Sequence, residues 1–216
     1  MTFISRRDLL KAAAAVPAVP VGRVLWTRLL PHAGSTEAGL QASSPVILTV
    51  AEAEILDSVV ARLIPADALG PGAKEAGATR YIDRALADAL SASRDAYRSG
   101  LAALDRYARS SRGKGFAELL PADQDSVLID VETGAATGFA GSSAAFFAMV
   151  LNHTHQGTFG DPFYGGNRDF VGWDLIGYPG VRTMVSGSDQ KALENGQLKP
   201  NHKSAYDYES FTKAST

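Results

Sequence analysis

Between Thr49 and Leu151 apolar residues recur at helical spacing in five separate stretches. Thr49-Val50-Ala51-Glu52 has the form of a capping box, in which the threonine oxygen and the glutamate each satisfy an orphan amide. Behind it Ile55, Leu56, Val59, Val60, Leu63 and Ile64 make one apolar stripe, which Pro65 ends. A second helix is expected from Ala78 to Leu90, with Tyr81, Ile82, Ala85, Leu86, Ala89 and Leu90 inward. A third covers Asp95 to Arg109 and turns Tyr97, Leu101, Leu104 and Ala108 to the core. Arg112-Gly113-Lys114-Gly115 then reverses the chain, and Pro121 suits the first turn of a fourth helix that buries Val127, Leu128 and Val131. After the glycine-rich run from Gly134 to Gly141, Ser142 can cap a fifth helix whose stripe is Phe146, Phe147, Val150 and Leu151. No stretch alternates as a strand. The predicted fold is all-α: a small bundle of about five helices, followed by an irregular glycine- and aromatic-rich loop region and a polar C-terminal tail.

The regular pattern stops at Asn152. From there to Gly180 six aromatics (Phe159, Phe163, Tyr164, Phe170, Trp173, Tyr178) stand among closely spaced glycines and two prolines, with neither a helical nor a strand period. Asp161-Pro162 disfavours helix at Asp161, Gly165-Gly166-Asn167 invites positive φ, and Pro179-Gly180 marks another turn. Large rings on a tightly turned backbone make either a loop with its own small core or a surface offered to a partner. Beyond Gly180 the chain turns polar, with Tyr206, Tyr208 and Phe211 near its end. Such a tail either frays or lies across another protein's surface.

Composition adds a division at the N-terminus. The formal net charge of −2 conceals five of the 21 basic residues in positions 1–45 against two of the 23 acidic ones, so the remainder is acidic by five charges. An acidic body without a basic patch argues against nucleic acid as a ligand. Ser5-Arg6-Arg7-Asp8-Leu9-Leu10-Lys11, followed by the apolar Ala12 to Val21, reads as a twin-arginine export signal. Pro17 and Pro20 break any amphipathic helix there, and Arg23 and Arg28 interrupt a run long enough to span a membrane. No clean A-x-A site marks a cleavage point between Gly22 and Ser44. Residues 1–45 are therefore expected to be signal and linker, and residues 46–216 a single domain with its loop region and tail. The absence of cysteine suits a periplasmic protein without disulfides, and it excludes covalent c-type haem and a cysteine-ligated iron–sulfur cluster.

Candidate chemistry is sparse. His153 and His155 could share a metal only if the helix ended between them, because residues two apart on a helix project about 160° from one another. Asp161 and His202 are the groups that would complete such a site. Asp161, Asp169 and Asp174 are available as acid or base, although aspartates in such turns usually cap amides. Arg168 can pair with Asp169 or grip a partner's carboxylate with its planar fork. Gly70-Pro71-Gly72 and Gly113-Lys114-Gly115 lack the rest of a dinucleotide fingerprint, and no nucleophile elbow or P-loop occurs. No catalytic, cofactor-binding or metal-binding residue is assigned.

Several pieces resemble one family. They are His153-Thr154-His155-Gln156-Gly157, Asp161-Pro162, Tyr164-Gly165-Gly166-Asn167-Arg168-Asp169, Gly172-Trp173 and Ile176-Gly177-Tyr178-Pro179-Gly180. Upstream, Leu63-Ile64-Pro65-Ala66-Asp67, Pro71-Gly72-Ala73 and Ile82-Asp83 join them. Together they resemble the gluconate 2-dehydrogenase subunit 3 family, small subunits of bacterial membrane-associated flavoprotein dehydrogenases. The resemblance implies a large FAD-dependent partner of the glucose–methanol–choline type that oxidises a sugar, sugar acid or alcohol. A cytochrome c subunit carrying haem often accompanies it. The small subunit then supplies the twin-arginine signal to the translocase and escorts the catalytic chain to the periplasm without catalysing anything itself. On that view Phe163, Tyr164, Asn167, Arg168, Phe170, Trp173 and Tyr178 are the residues expected at the partner interface, since rings and arginine concentrate binding energy, with Trp173 mainly internal and Tyr164 and Arg168 mainly facing the partner. The rival expectations are an independent periplasmic enzyme using His153, His155 and Asp161, and a sugar-binding module using the aromatic loop.

Overall fold

The computed structural model describes residues 45–212, and the export-signal reading of Ser5 to Lys11 lies outside them. The described residues are all-α, with eight α-helices and no β-strand. Helix α1 (Val50–Leu63) begins at the expected capping box: Thr49 Oγ1 accepts from the Glu52 amide at 3.2 Å, and Glu52 Oε2 accepts from the Thr49 amide at 2.7 Å. Helices α2 (Ala78–Ala87), α3 (Arg94–Arg112), α4 (Pro121–Glu132) and α5 (Ser143–Phe159) complete the bundle. Pro121 occupies the first turn of α4, and Ser142 caps α5 by accepting from the Ala145 amide. Three short helices follow: α6 (Val171–Leu175), α7 (Gly187–Glu194) and α8 (Glu209–Thr212).

One core joins the five long helices. Leu56 and Val60 of α1 meet Ile82 and Leu86 of α2, Tyr97, Leu101 and Leu104 of α3, Val127 and Val131 of α4, and Val150 of α5. Phe116, from the 3₁₀ turn Phe116–Glu118, is buried with them. Fully burying a side chain of this size contributes about 1.5–3 kcal/mol. Helices α2 and α5 come very close at Gly157, where a Cβ would lie 2.9 Å from Ala78 Cα. At the far side Arg62 of α1 grips Asp125 of α4 with two hydrogen bonds of 2.7 and 2.8 Å.

Two expectations need correction. Helix α2 stops at Ala87 rather than Leu90, and Ala89 is exposed instead of inward. The chain folds back there: the Leu90 amide donates to Ala85 O, and the Arg94 guanidinium donates to the carbonyls of Leu86 and Ala87. Helix α5 runs on to Phe159, so the first eight residues of the stretch read as irregular are helical. Its buried face there is His153, Thr154, Gly157 and Thr158. The Thr154 and Thr158 hydroxyls satisfy themselves on carbonyls one turn back, both at 2.8 Å, which lets polar side chains occupy a core face. The hydropathy period vanishes although the helix continues.

The chain enters the bundle through a carboxylate. Asp83, on α2 and 5% exposed, accepts from the amides of Val46, Ile47 and Leu48 at 2.6, 2.9 and 2.9 Å. These charge-assisted bonds let the segment before α1 lie against α2 without leaving unpaired amides. Asp83→Ala removes the common acceptor and should lower stability by about 3 kcal/mol, with Asp83→Asn intermediate. Urea unfolding of the three proteins checks this; equal midpoints would mean that the anchor contributes nothing.

Candidate functional site

The region after α5 is built around the open end of that helix. The last carbonyls of an α-helix have no partner within it. Here the Asn167 amide donates to Gly157 O at 2.7 Å, Asn167 Nδ2 donates to Gly160 O at 2.9 Å, and Trp173 Nε1 donates to Phe159 O at 2.9 Å. Asn167 Oδ1 in turn accepts from the Gly172 amide at 2.8 Å. Asn167 is fully buried and adopts φ 41°, a left-handed conformation that asparagine enters more readily than most residues. Two glycines are required for room. A Cβ on Gly166 would stand 2.1 Å from Gly157 O, and one on Gly172 1.8 Å from Thr158 O.

The turn that this seating imposes is strained. Asp169 and Phe170 hold φ 55° and 62°, conformations that cost about 1–3 kcal/mol each and persist only where the surroundings enforce them. The enforcement is visible on both sides. The Arg168 amide donates to Ala76 O at 2.9 Å and its Nη2 to Glu75 O at 2.8 Å. The Phe170 ring lies 5.3 Å from Trp173 and stacks on His202 at 5.1 Å, while Tyr178 meets Trp173 edge-on at 4.7 Å. The loop therefore has its own small core, with Trp173 buried in it.

It also presents a surface. Among the seven residues expected to meet a partner, Asn167 and Trp173 are internal and Phe170 is half-buried. Phe163 and Tyr164 are 55% and 52% exposed, and Tyr178 and Arg168 are open to solvent as well. Any contact made by this loop thus falls on its rim, and the tryptophan acts from beneath.

The candidate chemical groups are not brought together. Because α5 continues, His153 and His155 fall on different faces. His153 is buried against Tyr97, its Nδ1 3.0 Å from the tyrosine hydroxyl and the rings stacked at 5.9 Å, whereas His155 lies beside Phe159. Burial raises the Tyr97 hydroxyl well above its ordinary range and lowers the His153 imidazole below its own. Both are neutral at pH 7. Asp161 accepts from the Phe163 amide at 2.9 Å and serves the structure of the loop, and Asp174 pairs with His202 at 2.8 Å. Among the described residues no three His, Asp or Glu side chains gather where they could share a metal ion.

The tail was missed by sequence reasoning as a structural part of this site. It returns across the loop instead of fraying: Asn201 donates its amide to Pro179 O at 3.1 Å, and the Val181 amide donates to Lys203 O at 3.1 Å. Ser204, buried, donates to Asp161 Oδ1 at 2.6 Å, and the Ala205 amide donates to Asp161 Oδ2 at 3.0 Å. Gly180 must be glycine here, since a Cβ would meet Asn201 Oδ1 at 1.9 Å and φ is 81°. The available signals were two Ser-x-x-Asp capping boxes, Ser186 with Asp189 and Ser204 with Asp207.

Two outcomes are expected of the isolated subunit. Trp173→Ala should destabilise it by about 3–5 kcal/mol, because the change empties the loop's core and leaves Phe159 O unpaired. A thermal melt unchanged from wild type would contradict the internal role. His153 sets a pH dependence whose sign follows from its lowered folded-state value. The neutral ring's contribution is complete above the unfolded pKa of about 6.5 and is lost as pH falls below it toward the folded value. Between about pH 7.5 and 5.5 the urea midpoint should drop more for wild type than for His153→Gln. An equal drop would exclude His153 as the titrating group.

No curated protein and no solved structure matches the chain. The family model described as gluconate 2-dehydrogenase subunit 3 matches residues 50–180, from the first helix to the glycine that ends the aromatic loop. That is more than half of the chain and contains the α5 caps, the strained turn and the ring cluster. The chain belongs to the gluconate 2-dehydrogenase subunit 3 family, the small subunits of a dehydrogenase complex.

Proposed function

We propose that this chain is the non-catalytic small subunit of a periplasmic FAD-dependent dehydrogenase of the glucose–methanol–choline type, which oxidises a sugar, sugar acid or alcohol. Its leader, centred on Arg6 and Arg7, is the address read by the twin-arginine translocase. Its folded body binds and stabilises the flavoprotein, so that both cross together. Membrane association then comes through the complex; no helix among the described residues is long and apolar enough to cross a bilayer.

The observation that carries this reading is how the site uses its residues. His153 is committed to Tyr97 and Asp161 to Ser204 and Ala205, while Asp174 pairs with His202 on the surface. Groups suited to recognition (Phe163, Tyr164, Arg168 and Tyr178) face solvent on a rigid support. Neither glycine loop among the described residues fits the pyrophosphate of an FAD. Gly115 lies at the start of a 3₁₀ turn with its amide on Glu118, and Gly70 closes a tight pair with Asp67, so neither loop follows a strand or opens toward a pyrophosphate. The flavin belongs to the large subunit, and haem c to a cytochrome subunit where one takes part.

The test is export. Arg6→Lys combined with Arg7→Lys should strand both this chain and the flavoprotein in the cytoplasm, with periplasmic dehydrogenase activity reduced to background. Cell fractionation measures it. Flavoprotein still reaching the periplasm in the double variant would reject the escort role. Sugar affinity or turnover by the isolated chain would support the rival readings instead.

A further inference from the structure

The tail places an additional ring on the exposed face of the loop. Tyr206 stacks on Phe163 with centroids 3.6 Å apart and planes within 14°, and Tyr164 stands edge-on to both at 5.4 and 5.9 Å. The Tyr164 and Tyr206 hydroxyls are 2.9 Å apart, so one donates to the other. Phe163 nevertheless keeps more than half of its surface in water. Rings held this way lose little freedom on binding, which makes them effective contact groups. The seat beneath is ordered. Ser204 is buried, donates to Asp161, and also accepts from the Tyr206 amide at 3.0 Å. Tyr206 thus reaches the cluster from 26 residues beyond the family-matched region, which ends at residue 180.

The charge beside the rings has one sign that is not cancelled locally. Arg84, exposed on α2, lies across Gly165, the residue after Tyr164: a Cβ there would stand 2.8 Å from its Nη1, so the missing side chain leaves room for the guanidinium. Among the described residues Arg84 has no ion pair or hydrogen bond to a carboxylate. The nearby Asp161 carboxylate is turned inward to Phe163, Ser204 and Ala205, and Asp169 faces Arg168 at 3.9 Å. An aromatic centre with an unpaired guanidinium at its edge is complementary to an apolar protein segment bearing a carboxylate.

We propose that the family loop and the C-terminal tail form one composite docking surface, Phe163, Tyr164 and Tyr206 with Arg84 at the rim, which takes an acidic apolar segment of the catalytic subunit. This rests on the reading of the chain as the small subunit of a flavoprotein complex. It assigns partner recognition in part to residues outside the shared domain: that domain supplies the support, and the tail supplies a ring that other members of the family need not carry.

The test uses the full chain co-expressed with its FAD-loaded catalytic subunit, with affinity measured between the purified subunits. Tyr206→Ala should weaken association by about 10-fold or more, as loss of an interface ring does. Arg84→Glu leaves the internal hydrogen bonds intact, so it provides a variant whose folding is not in question. It should also weaken association about 10-fold, and more at low salt than at high salt. Wild-type affinity in both variants would overturn the composite surface. Tighter binding after truncation before Ser204 would also overturn it, since the tail would then be a cover. Absence of binding by the wild-type chain would instead count against the subunit reading itself, so the two failures are distinguishable.

Discussion

The last carbonyls of α5, which have no partner within the helix, are the constraint on which the rest of this structure depends. A helix that ends inside a protein must find donors for its last turn. This one finds them in Asn167 and Trp173, which lie beyond a reversal of the chain. The consequences follow in order. The backbone must approach α5 closely, so Gly166 and Gly172 lack side chains. It must turn sharply afterwards, so Asn167, Asp169 and Phe170 take left-handed conformations. Trp173 must bring its indole nitrogen to Phe159 O, so its ring becomes the centre on which Phe170 and Tyr178 pack. A loop dense in glycine is in this way made rigid, with its remaining rings turned outward.

The same economy engages several of the loop's polar groups in structural bonds. An acid or base needs freedom to exchange protons with a substrate, and a metal ligand needs converging neighbours. Asp161 instead joins two parts of the chain: its own turn, at the Phe163 amide, and the tail, at the Ser204 hydroxyl and the Ala205 amide. His153 is neutral and enclosed, with Tyr97 as its partner. The strain in the Asn167–Phe170 turn persists because the end of α5, Ala76 O and the Trp173 ring hold it from both sides.

What could be read from the residues depended on the range of the interactions involved. Helix α1 was legible because its capping box and its apolar stripe are both local. The second half of α5 was not, because its inward face is His153, Thr154, Gly157 and Thr158, which carry no hydropathy signal. The glycine and aromatic loop was recognisable as a turn-rich unit, but not as the cap of the preceding helix; that needs the geometry of Asn167. The internal place of Trp173 was expected, but that of Asn167 was not, because its burial depends on the end of α5. The tail and the Asp83 anchor escaped for one reason. Their bonds join residues 35 to 44 positions apart, and no local pattern encodes such pairings.

The account is tested most directly by hydrogen exchange on this subunit, alone and in complex with its flavoprotein. The Asn167 and Gly172 amides should already be protected in the free subunit, because α5 and the Asn167 side chain hold them. Peptides covering residues 161–166 and 202–207 should gain protection on complex formation. Rapid exchange at Asn167 and Gly172 in the free chain, or new protection confined to surfaces away from the loop and tail, would contradict it.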